Sequence, residues 1–345
     1  MSAPAGIVPT LEAHTKRIAN GWFTEYNEQW PGIACSLEIE EILFEQQSEY
    51  QSVLVFKSKT FGNVLVLDGV IQLTERDESA YQELIAHLPL YSHSNPENVL
   101  IVGGGDGGVI REVVKHASVK AITICEIDKV VIEAGKKYFP TVASAWDDKR
   151  VTLHCGDGNV FLADPANEAK YDVIITDSSD PVGPAAALFE SPFYQAMNKC
   201  LKDGGKICTQ AESMWLHLDL IHKLVKDSSH TFANVEYATT QIPTYPAGQI
   251  GLLLCSKQLN GKKTSCAKPA RRVPKKEEEN YKYYSSALHE ASFVLPHFVA
   301  AKVADAKAIA AAEKKTMADA NKKRKSTGGD EEEKDAKVQK TEDEE

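Results

Sequence analysis

A glycine-rich loop is the first segment whose residues could do chemistry. Residues 103–108 read GGGDGG, which matches the G-x-G-x-x-G pattern and follows an apolar run. Glu126 comes one predicted strand later, where a carboxylate can accept hydrogen bonds from the ribose hydroxyls of a nucleotide. The pattern therefore predicts a nucleoside site, although such loops also serve as plain turns between a strand and a helix.

The acid inside this loop discriminates between ligands. Asp106 would lie at the start of a helix, where its carboxylate competes with a pyrophosphate for the same amide donors. A dinucleotide is therefore disfavoured, and a ligand that carries an ammonium group is favoured. Capping of the helix by Asp106 is the simpler interpretation, and it is compatible with a ligand contact.

Polar side chains recur where the predicted strands end, so they should share one rim of the sheet. These residues are Asp106, Glu126, Asp128, Asp157, Asp177, Asp180, Gln210 and Glu212. Crowding of like charges is costly unless a cation occupies the site. No cysteine or histidine joins them with zinc-ligand spacing, so we expect no metal, although Mg²⁺ remains an alternative.

Two of these acids form a pair. Asp177 and Asp180 belong to the sequence DSSDP and precede a loop that contains Gly183 and Pro184. Carboxylates three residues apart on a turn can hold an amine, and one of them can take its proton. The loop could close over the site and exclude water, which a sulfonium reaction requires. A loop that is capped by its own aspartates is the alternative.

The elements that position these residues follow from hydrophobic patterning. Residues 36–75 alternate apolar and polar positions in short runs and predict a β-meander with a tight turn at Asp68-Gly69. From residue 98, five apolar strands alternate with helices and predict a parallel sheet. The segments 234–243 and 248–257 are too close for a crossover helix and should pair antiparallel. The predicted fold is α/β: a Rossmann-like, methyltransferase-type doubly wound sheet with an antiparallel C-terminal hairpin.

Four segments are predicted along the chain. Residues 1–20 are an N-terminal extension, 21–76 a small β-domain, and 77–298 the Rossmann-like catalytic domain, whose first helix runs from Glu78 to about Leu88. This helix should end there because a proline follows. Residues 299–345 are rich in charge and poor in large apolar groups, so we expect a disordered tail, with a helix in its Ala-rich first part as an alternative there.

Composition and charge exclude several classes of protein. The chain has 345 residues, 43% of them hydrophobic, with 39 Lys and Arg against 49 Asp and Glu. This acidic excess disfavours nucleic acid as a partner. No apolar run is long enough to span a membrane and no secretory signal is evident, so we expect a soluble cytoplasmic protein. The seven cysteines are scattered and should be reduced thiols.

Residues 21–298 resemble the spermidine synthase family of polyamine aminopropyltransferases. The resemblance lies in DGVIQLTERDE, GGGDGG, DSSDP and IPTYPAGQIG, which together are highly specific. It implies transfer of an aminopropyl group from decarboxylated S-adenosylmethionine to putrescine, which yields spermidine and methylthioadenosine. It also implies no cofactor, since the nucleoside is a co-substrate, and a homodimer or higher homo-oligomer.

The resemblance also implies roles for individual residues. Positions that match the donor site are Gln51, Gln82, Asp106, Glu126, Asp157 and Gly158. Positions that match the acceptor site are Tyr81, Asp177, Asp180, Gln210 and Tyr245. Within these sets, Asp106 would bind the aminopropyl amine, Glu126 the ribose and Asp157 the adenine region. Asp177 matches the catalytic base, which would deprotonate the attacking amine.

Three other functions remain open on the same scaffold. A spermine synthase would need a longer acceptor pocket, and a putrescine N-methyltransferase would bring the donor carboxylate against Asp106. A non-catalytic scaffold subunit would have no reason to keep the amine-binding set. Outside the region of resemblance, Lys322–Lys325 is similar to a nuclear import signal, and a solvated charge run is the alternative.

Overall fold

The computed structural model describes residues 16–181 and 183–342. Side chains are described within these ranges except at residues 183, 184 and 321–342. Most of the predicted N-terminal extension and the side chains of Lys322–Lys325 therefore lie outside the described part of the chain.

The N-terminal domain is a meander of six antiparallel strands in chain order. The strands are β1 (Ile18–Ala19), β2 (Trp22–Tyr26), β3 (Ala34–Gln47), β4 (Ser52–Ser58), β5 (Gly62–Leu67) and β6 (Val70–Thr74). Asp68 and Gly69 form the two-residue turn between β5 and β6, with φ angles of 50° and 82°. Positive φ at both positions is what a type I′ hairpin turn requires, so the predicted turn is confirmed.

The second sheet has seven strands in the order β12-β13-β11-β10-β7-β8-β9. They are β7 (Asn98–Gly103), β8 (Ala121–Glu126), β9 (Val151–Cys155), β10 (Tyr171–Asp177), β11 (Leu201–Gln210), β12 (Asn234–Gln241) and β13 (Gln249–Ser256). The first five are parallel, and β13 lies antiparallel between β11 and β12. The predicted methyltransferase-type arrangement is confirmed.

Helices cover this sheet. They are α1 (Glu78–Ser92), α2 (Gly108–Val113), α3 (Lys129–Tyr138), α4 (Gly158–Ala163), α5 (Ser191–Cys200), α6 (Leu218–Thr231), α7 (Ser286–Ala291) and α8 (His297–Glu342). The prediction that α1 ends before Pro89 is wrong, because every residue of α1 is buried and its packing outweighs the missing hydrogen bond. No helix in the described ranges is long and apolar enough to cross a membrane.

The segment predicted as a tail begins in a docked helix. Helix α8 continues from residue 299 to Glu342, and the Ala, Lys and Glu residues of this stretch are strong helix formers. Its first turns are anchored by Val299, Val303 and Ala306, which are buried in one cluster with Ile221 and Val225 of α6. Spacings of three and four residues place the anchors on one helical face. The prediction missed this short apolar stripe.

Buried hydrogen bonds fix the two domains to each other. Asp77 accepts a hydrogen bond from the Thr74 hydroxyl at the end of β6, and its second oxygen accepts bonds from the Thr244 N–H at 3.0 Å and the Thr244 hydroxyl at 2.8 Å. The Tyr245 hydroxyl donates to the backbone carbonyl of Gln72 at 2.8 Å. The loop between β12 and β13 is therefore attached directly to the N-terminal sheet.

The docking of α8 can be tested with two substitutions in the same helix. Ala306 is fully buried against α6, whereas Ala304 is exposed. We expect A306D to lower the free energy of unfolding by about 3 kcal/mol, because it buries an unpaired charge, and A304D to change it by less than about 0.5 kcal/mol. Urea denaturation measures both. Equal effects of the two substitutions would show that α8 does not dock.

Candidate active site

A cavity of about 420 Å³ lies between the two domains, at the carboxyl ends of the parallel strands. Its walls come from β5, β6 and from the loops that follow β7, β8, β9, β10 and β11. Every donor-site and acceptor-site residue named from the sequence lines it: Gln51, Tyr81, Gln82, Asp106, Glu126, Asp157, Gly158, Asp177, Asp180, Gln210 and Tyr245. Asp128 does not line the cavity and instead caps α3.

The glycine loop brings the ends of β7 and β10 together. Gly103 has a φ of +82°, and a Cβ at this position would clash with the backbone oxygen of Asp177. The N–H of Gly104 donates to that same oxygen at 2.9 Å. Only glycine satisfies both the left-handed backbone and the close approach. As a result, the acids that follow the two strands face one another across a short distance.

Asp106 both caps a helix and faces the cavity. Its Oδ1 accepts a hydrogen bond from the Gly108 N–H at 2.7 Å, and its Oδ2 accepts one from the Gln82 side-chain amide at 3.0 Å. Burial raises the pKa of Asp106, and the nearby Glu78 raises it further. The carboxylate therefore lies in a setting that favours a cationic neighbour.

Glu126 follows β8 and is buried. Burial raises its pKa to about 7, and the negative charge of Asp128 adds to the effect. Its Oε1 accepts a hydrogen bond from the Asp128 N–H at 2.8 Å. Asp128 in turn accepts a bond from the Gln51 side-chain amide at 3.0 Å, which fixes Gln51 on the cavity wall. The N-terminal domain thus contributes to the same end of the cavity as β8.

The loop after β9 completes this end. Asp157 is exposed and caps α4 by accepting a hydrogen bond from the Asn159 N–H at 2.7 Å. Gly158 follows it, and a Cβ there would lie 2.6 Å from a methyl group of Val102. The glycine therefore lets α4 begin close to β7, and the local aspartate cap leaves the second carboxylate oxygen free to meet a ligand.

Asp177 lies at the centre of the cavity beside two tyrosines. Burial raises its pKa to about 8, and the negative charge of Asp106 raises it further, while a hydrogen bond from Tyr81 opposes the shift. The rings of Tyr81 and Tyr245 lie 6.0 Å apart, and both side chains are held in place by buried contacts. At neutral pH Asp177 is therefore largely protonated in the empty cavity, and a cation bound beside it would favour the ionised form that a base requires.

Asp180 and Gln210 lie farther along the cavity. The Gln210 side-chain amide donates to Asp180 at 3.2 Å. Burial raises the pKa of Asp180 to about 7, and the adjacent Glu212 contributes to the rise. The two acids of the DSSDP sequence therefore face different parts of the cavity, with Asp177 near Asp106 and Asp180 near Glu212.

Sequence reasoning missed the acid that the N-terminal domain brings towards this end. Glu25 on β2 is fully buried, and one of its oxygens accepts a hydrogen bond from the Ile71 N–H on the cavity wall. Burial raises the pKa of Glu25 to about 8, and the charge of Asp180 also raises it. The signal was present, because alternation along β2 places Glu25 on the same buried face as Phe23.

Unpaired oxygen atoms line the cavity and its far end. The side-chain Oε1 atoms of Glu25, Gln82, Gln210 and Glu212 are buried and accept no hydrogen bond. Buried polar atoms without partners are rare unless a ligand supplies the missing donors. Acceptors in this number, together with raised carboxyl pKa values, favour a ligand that carries ammonium groups. Within the described residues, no cluster of His, Cys, Asp and Glu has the geometry of a metal site.

Comparison with known proteins identifies the family. The model of the spermine/spermidine synthase domain matches residues 78–265, and that of the spermidine synthase tetramerisation domain matches residues 21–75. The chain belongs to the spermine/spermidine synthase family. The resemblance found from the sequence motifs is therefore confirmed.

Both spermidine synthases and a spermine synthase are similar to this chain. A spermidine synthase of Dictyostelium discoideum is 54% identical over 287 residues, covering 83% of this chain and 99% of that protein. A spermine synthase of Arabidopsis thaliana is 49% identical and covers 83% of this chain and 85% of that protein. A solved spermidine synthase in complex with the transition-state analogue AdoDATO has a TM-score of 0.74 at 31% identity and covers 84% of this chain and 96% of that chain.

The raised pKa of Asp177 has a consequence for stability. Between about pH 4 and pH 8 the folded protein retains a proton that the unfolded chain has lost, so stability falls as pH rises through this window. The D177N substitution removes the buried charge that causes this loss of stability. We expect the ligand-free variant to be more stable than the wild type by about 1–2 kcal/mol at pH 8.5, with a smaller gain at pH 5, in urea denaturation.

The control for this prediction lies at the start of the same strand. Burial tends to raise the pKa of Asp172, but its ion pair with Lys202 outweighs burial and lowers it. D172N should therefore destabilise the protein at both pH values. A destabilising effect of D177N at pH 8.5 would contradict the assignment of an unfavourable charge at Asp177.

Proposed function

We propose that the chain is a spermidine synthase, which transfers the aminopropyl group of decarboxylated S-adenosylmethionine to putrescine. The products are spermidine and methylthioadenosine. The observation that carries the proposal is the pairing of Asp106 with Asp177 in one cavity, where each carboxyl has a raised pKa. Both substrates are cations, and they supply the charge that this arrangement lacks.

The donor occupies the end formed by the loops after β7, β8 and β9. Glu126 accepts hydrogen bonds from the ribose hydroxyls, and Asp157 lies beside the adenine region. Asp106 binds the amine of the aminopropyl group, while Gln51 and Gln82 complete the walls. Asp106 also selects against the intact donor, because a carboxylate on the substrate would face a carboxylate on the protein.

The acceptor lies between Tyr81 and Tyr245, with one amine at Asp177 and the other towards Asp180 and Gln210. An alkylammonium with a pKa of about 10 has no lone pair at neutral pH, so it must first lose a proton. Asp177 takes this proton. The neutral nitrogen then attacks the methylene carbon beside sulfur, forming a C–N bond while the C–S bond breaks and its electron pair returns to sulfur as a neutral thioether.

Spermine synthesis is the second candidate, because one of the similar relatives is a spermine synthase. It requires that the far end of the acceptor cavity hold the additional aminopropyl arm of spermidine. Glu212 and the ring of Trp30 are buried and line the cavity. Putrescine is the proposed acceptor because the spermidine synthases reported above are similar over most of the chain. A methyltransferase is disfavoured by Asp106, and a scaffold role leaves the unpaired buried acceptors without explanation.

Assembly and location extend the proposal. The N-terminal domain exposes Trp22, Tyr26, Ile33 and Ile42, whose accessible fractions are 39–48%. The exposure of these large apolar side chains supports a homodimer or a higher homo-oligomer, in which copies associate through the segment that matches the tetramerisation domain. Sedimentation of a W22K variant tests this assembly, because the oligomer should dissociate.

We further propose a cytoplasmic protein, with nuclear import through Lys322–Lys325 as an additional property.

The function is tested by methylthioadenosine release from decarboxylated S-adenosylmethionine with putrescine, spermidine, cadaverine or no amine, beside intact S-adenosylmethionine. Putrescine should be the preferred acceptor, as the proposed function requires. Preference for spermidine would instead identify a spermine synthase. Methylated putrescine from the intact donor would identify a methyltransferase, and silence with every acceptor would favour the scaffold.

The role of Asp177 is tested by D177N. The variant should lose about 10²–10⁴-fold in turnover, because the amide cannot take the proton of the ammonium. Donor binding, measured by calorimetry, should change little because Asp177 does not hold the nucleoside. Turnover close to that of the wild type would remove Asp177 from the role of base.

A further inference from the structure

The connection between β11 and α6 contributes two charged residues to the far end of the cavity. Glu212 and His217 lie on this connection, and both line the cavity wall. Glu212 has a φ of 63°, which is unusual for a residue other than glycine. Its carbonyl accepts hydrogen bonds from the Tyr237 hydroxyl at 2.8 Å and from the Gly251 N–H at 2.9 Å. Two buried donors therefore hold Glu212 in a strained conformation.

Both nitrogens of His217 face hydrogen-bond acceptors. Nε2 donates to the backbone carbonyl of Gln29 at 3.0 Å, and Nδ1 lies 2.8 Å from the Glu212 carboxylate, within ion-pair distance but without the geometry of a hydrogen bond. A neutral imidazole that donates its one N–H to Gln29 would turn a lone pair towards the carboxylate, so this arrangement favours the imidazolium form. Burial lowers the pKa of His217, but the adjacent Glu212 carboxylate outweighs it, and the pKa lies above its usual value.

His217 also connects the two domains at this point. Gln29 and Trp30 belong to the N-terminal domain, and the Trp30 ring meets the His217 ring edge-on with centroids 6.5 Å apart. Trp30 is buried and lines the cavity. The imidazolium therefore holds two parts of the cavity wall in place. One is the Glu212 carboxylate of the catalytic domain, and the other is the backbone at Gln29, before Trp30, of the N-terminal domain.

The charge of Glu212 acts where the second amine of the acceptor would lie. Glu212 raises the pKa of Asp180, so the two carboxylates are close enough to interact. One Glu212 oxygen faces His217, whereas the other is buried and accepts no hydrogen bond. Glu212 lines the same cavity as Asp180 and Gln210. It is an acceptor that awaits a donor from the ligand.

We infer that His217 is a positioning residue for the distal ammonium group of an α,ω-diamine, which it serves by holding Glu212 and the wall at Trp30 in place. The inference rests on the proposed function and deepens it. His217 does not touch the reacting atoms, which lie at Asp177. It acts on recognition of the second amine, and so it distinguishes a diamine from a monoamine of the same length.

Without the imidazolium, the Glu212 side chain has no cation beside it to hold it in place. The far end of the cavity then loses an acceptor in a fixed position. The Gln29 carbonyl loses its donor at the same time. A diamine then loses a favourable interaction at one amine only, while the attacking amine and the donor nucleoside are unaffected.

The test compares H217Q with the wild type and with H222Q. His222 is the matched control, because its ion pair with Asp305 at 2.9 Å lies on α6 and α8, away from the cavity. H217Q should raise the KM for putrescine about tenfold, the loss expected for one charge-assisted hydrogen bond. Its kcat and its KM for decarboxylated S-adenosylmethionine should stay within about twofold of the wild type. H222Q should match the wild type.

Butylamine supplies the decisive probe, since it has the carbon chain of putrescine but no second ammonium. Its inhibition constant against putrescine should be the same for H217Q and the wild type. E212Q should reproduce the rise in putrescine KM, and H217Q should add nothing in the E212Q background, because His217 acts through Glu212. E212Q also provides an independent test if H217Q does not fold.

Three results would overturn the inference. They are an unchanged KM for putrescine in both H217Q and E212Q, an equal loss of affinity for butylamine, and additive effects of the two substitutions. Failure of the proposed function can be distinguished from failure of this inference. In that case the wild type would release no methylthioadenosine with putrescine, so there would be no KM values to compare.

Discussion

The cost of holding several carboxylates in one cavity with little water is the constraint on which the rest of this structure depends. Burial raises the pKa of Glu126 and Asp180 to about 7 and those of Glu25 and Asp177 to about 8. Evolution tolerates such a cost when the charges serve a ligand. In the proposed function two organic cations relieve this cost, so the residues that weaken the empty protein are the ones proposed to recognise both substrates.

The backbone is arranged to concentrate these charges. Glycine at position 103 lets β7 and β10 approach until Asp106 and Asp177 interact. The N-terminal sheet then closes the cavity with Gln51 and Trp30. Neither domain encloses the cavity alone, so the small β-domain, which matches the tetramerisation domain of spermidine synthases, is also a part of the site.

Much of the site could be predicted because its residues follow strand ends in a fold whose topology fixes where those ends meet. Asp106 and Asp177 are examples, since each follows an apolar strand. Glu25 could not be placed in this way, because its position depends on tertiary contacts with Ile71 on another strand of its own domain and with Asp180 of the catalytic domain. The end of helix α1 was misjudged for the same reason, since burial of the segment around Pro89 is a tertiary effect that overrides local propensity. The docking of Val303 at the start of α8 is a tertiary effect of the same kind.

The buried attachment of Asp77 to Thr244 bears on how product leaves. Opening the cavity by swinging the domains apart would expose this carboxylate together with its Thr74 partner and break the Tyr245 contact with Gln72. Several buried hydrogen bonds would be lost at once, so a hinge between the domains is an expensive exit route. Exchange of spermidine for a new diamine must therefore proceed through local rearrangement of cavity loops while the two sheets stay in register.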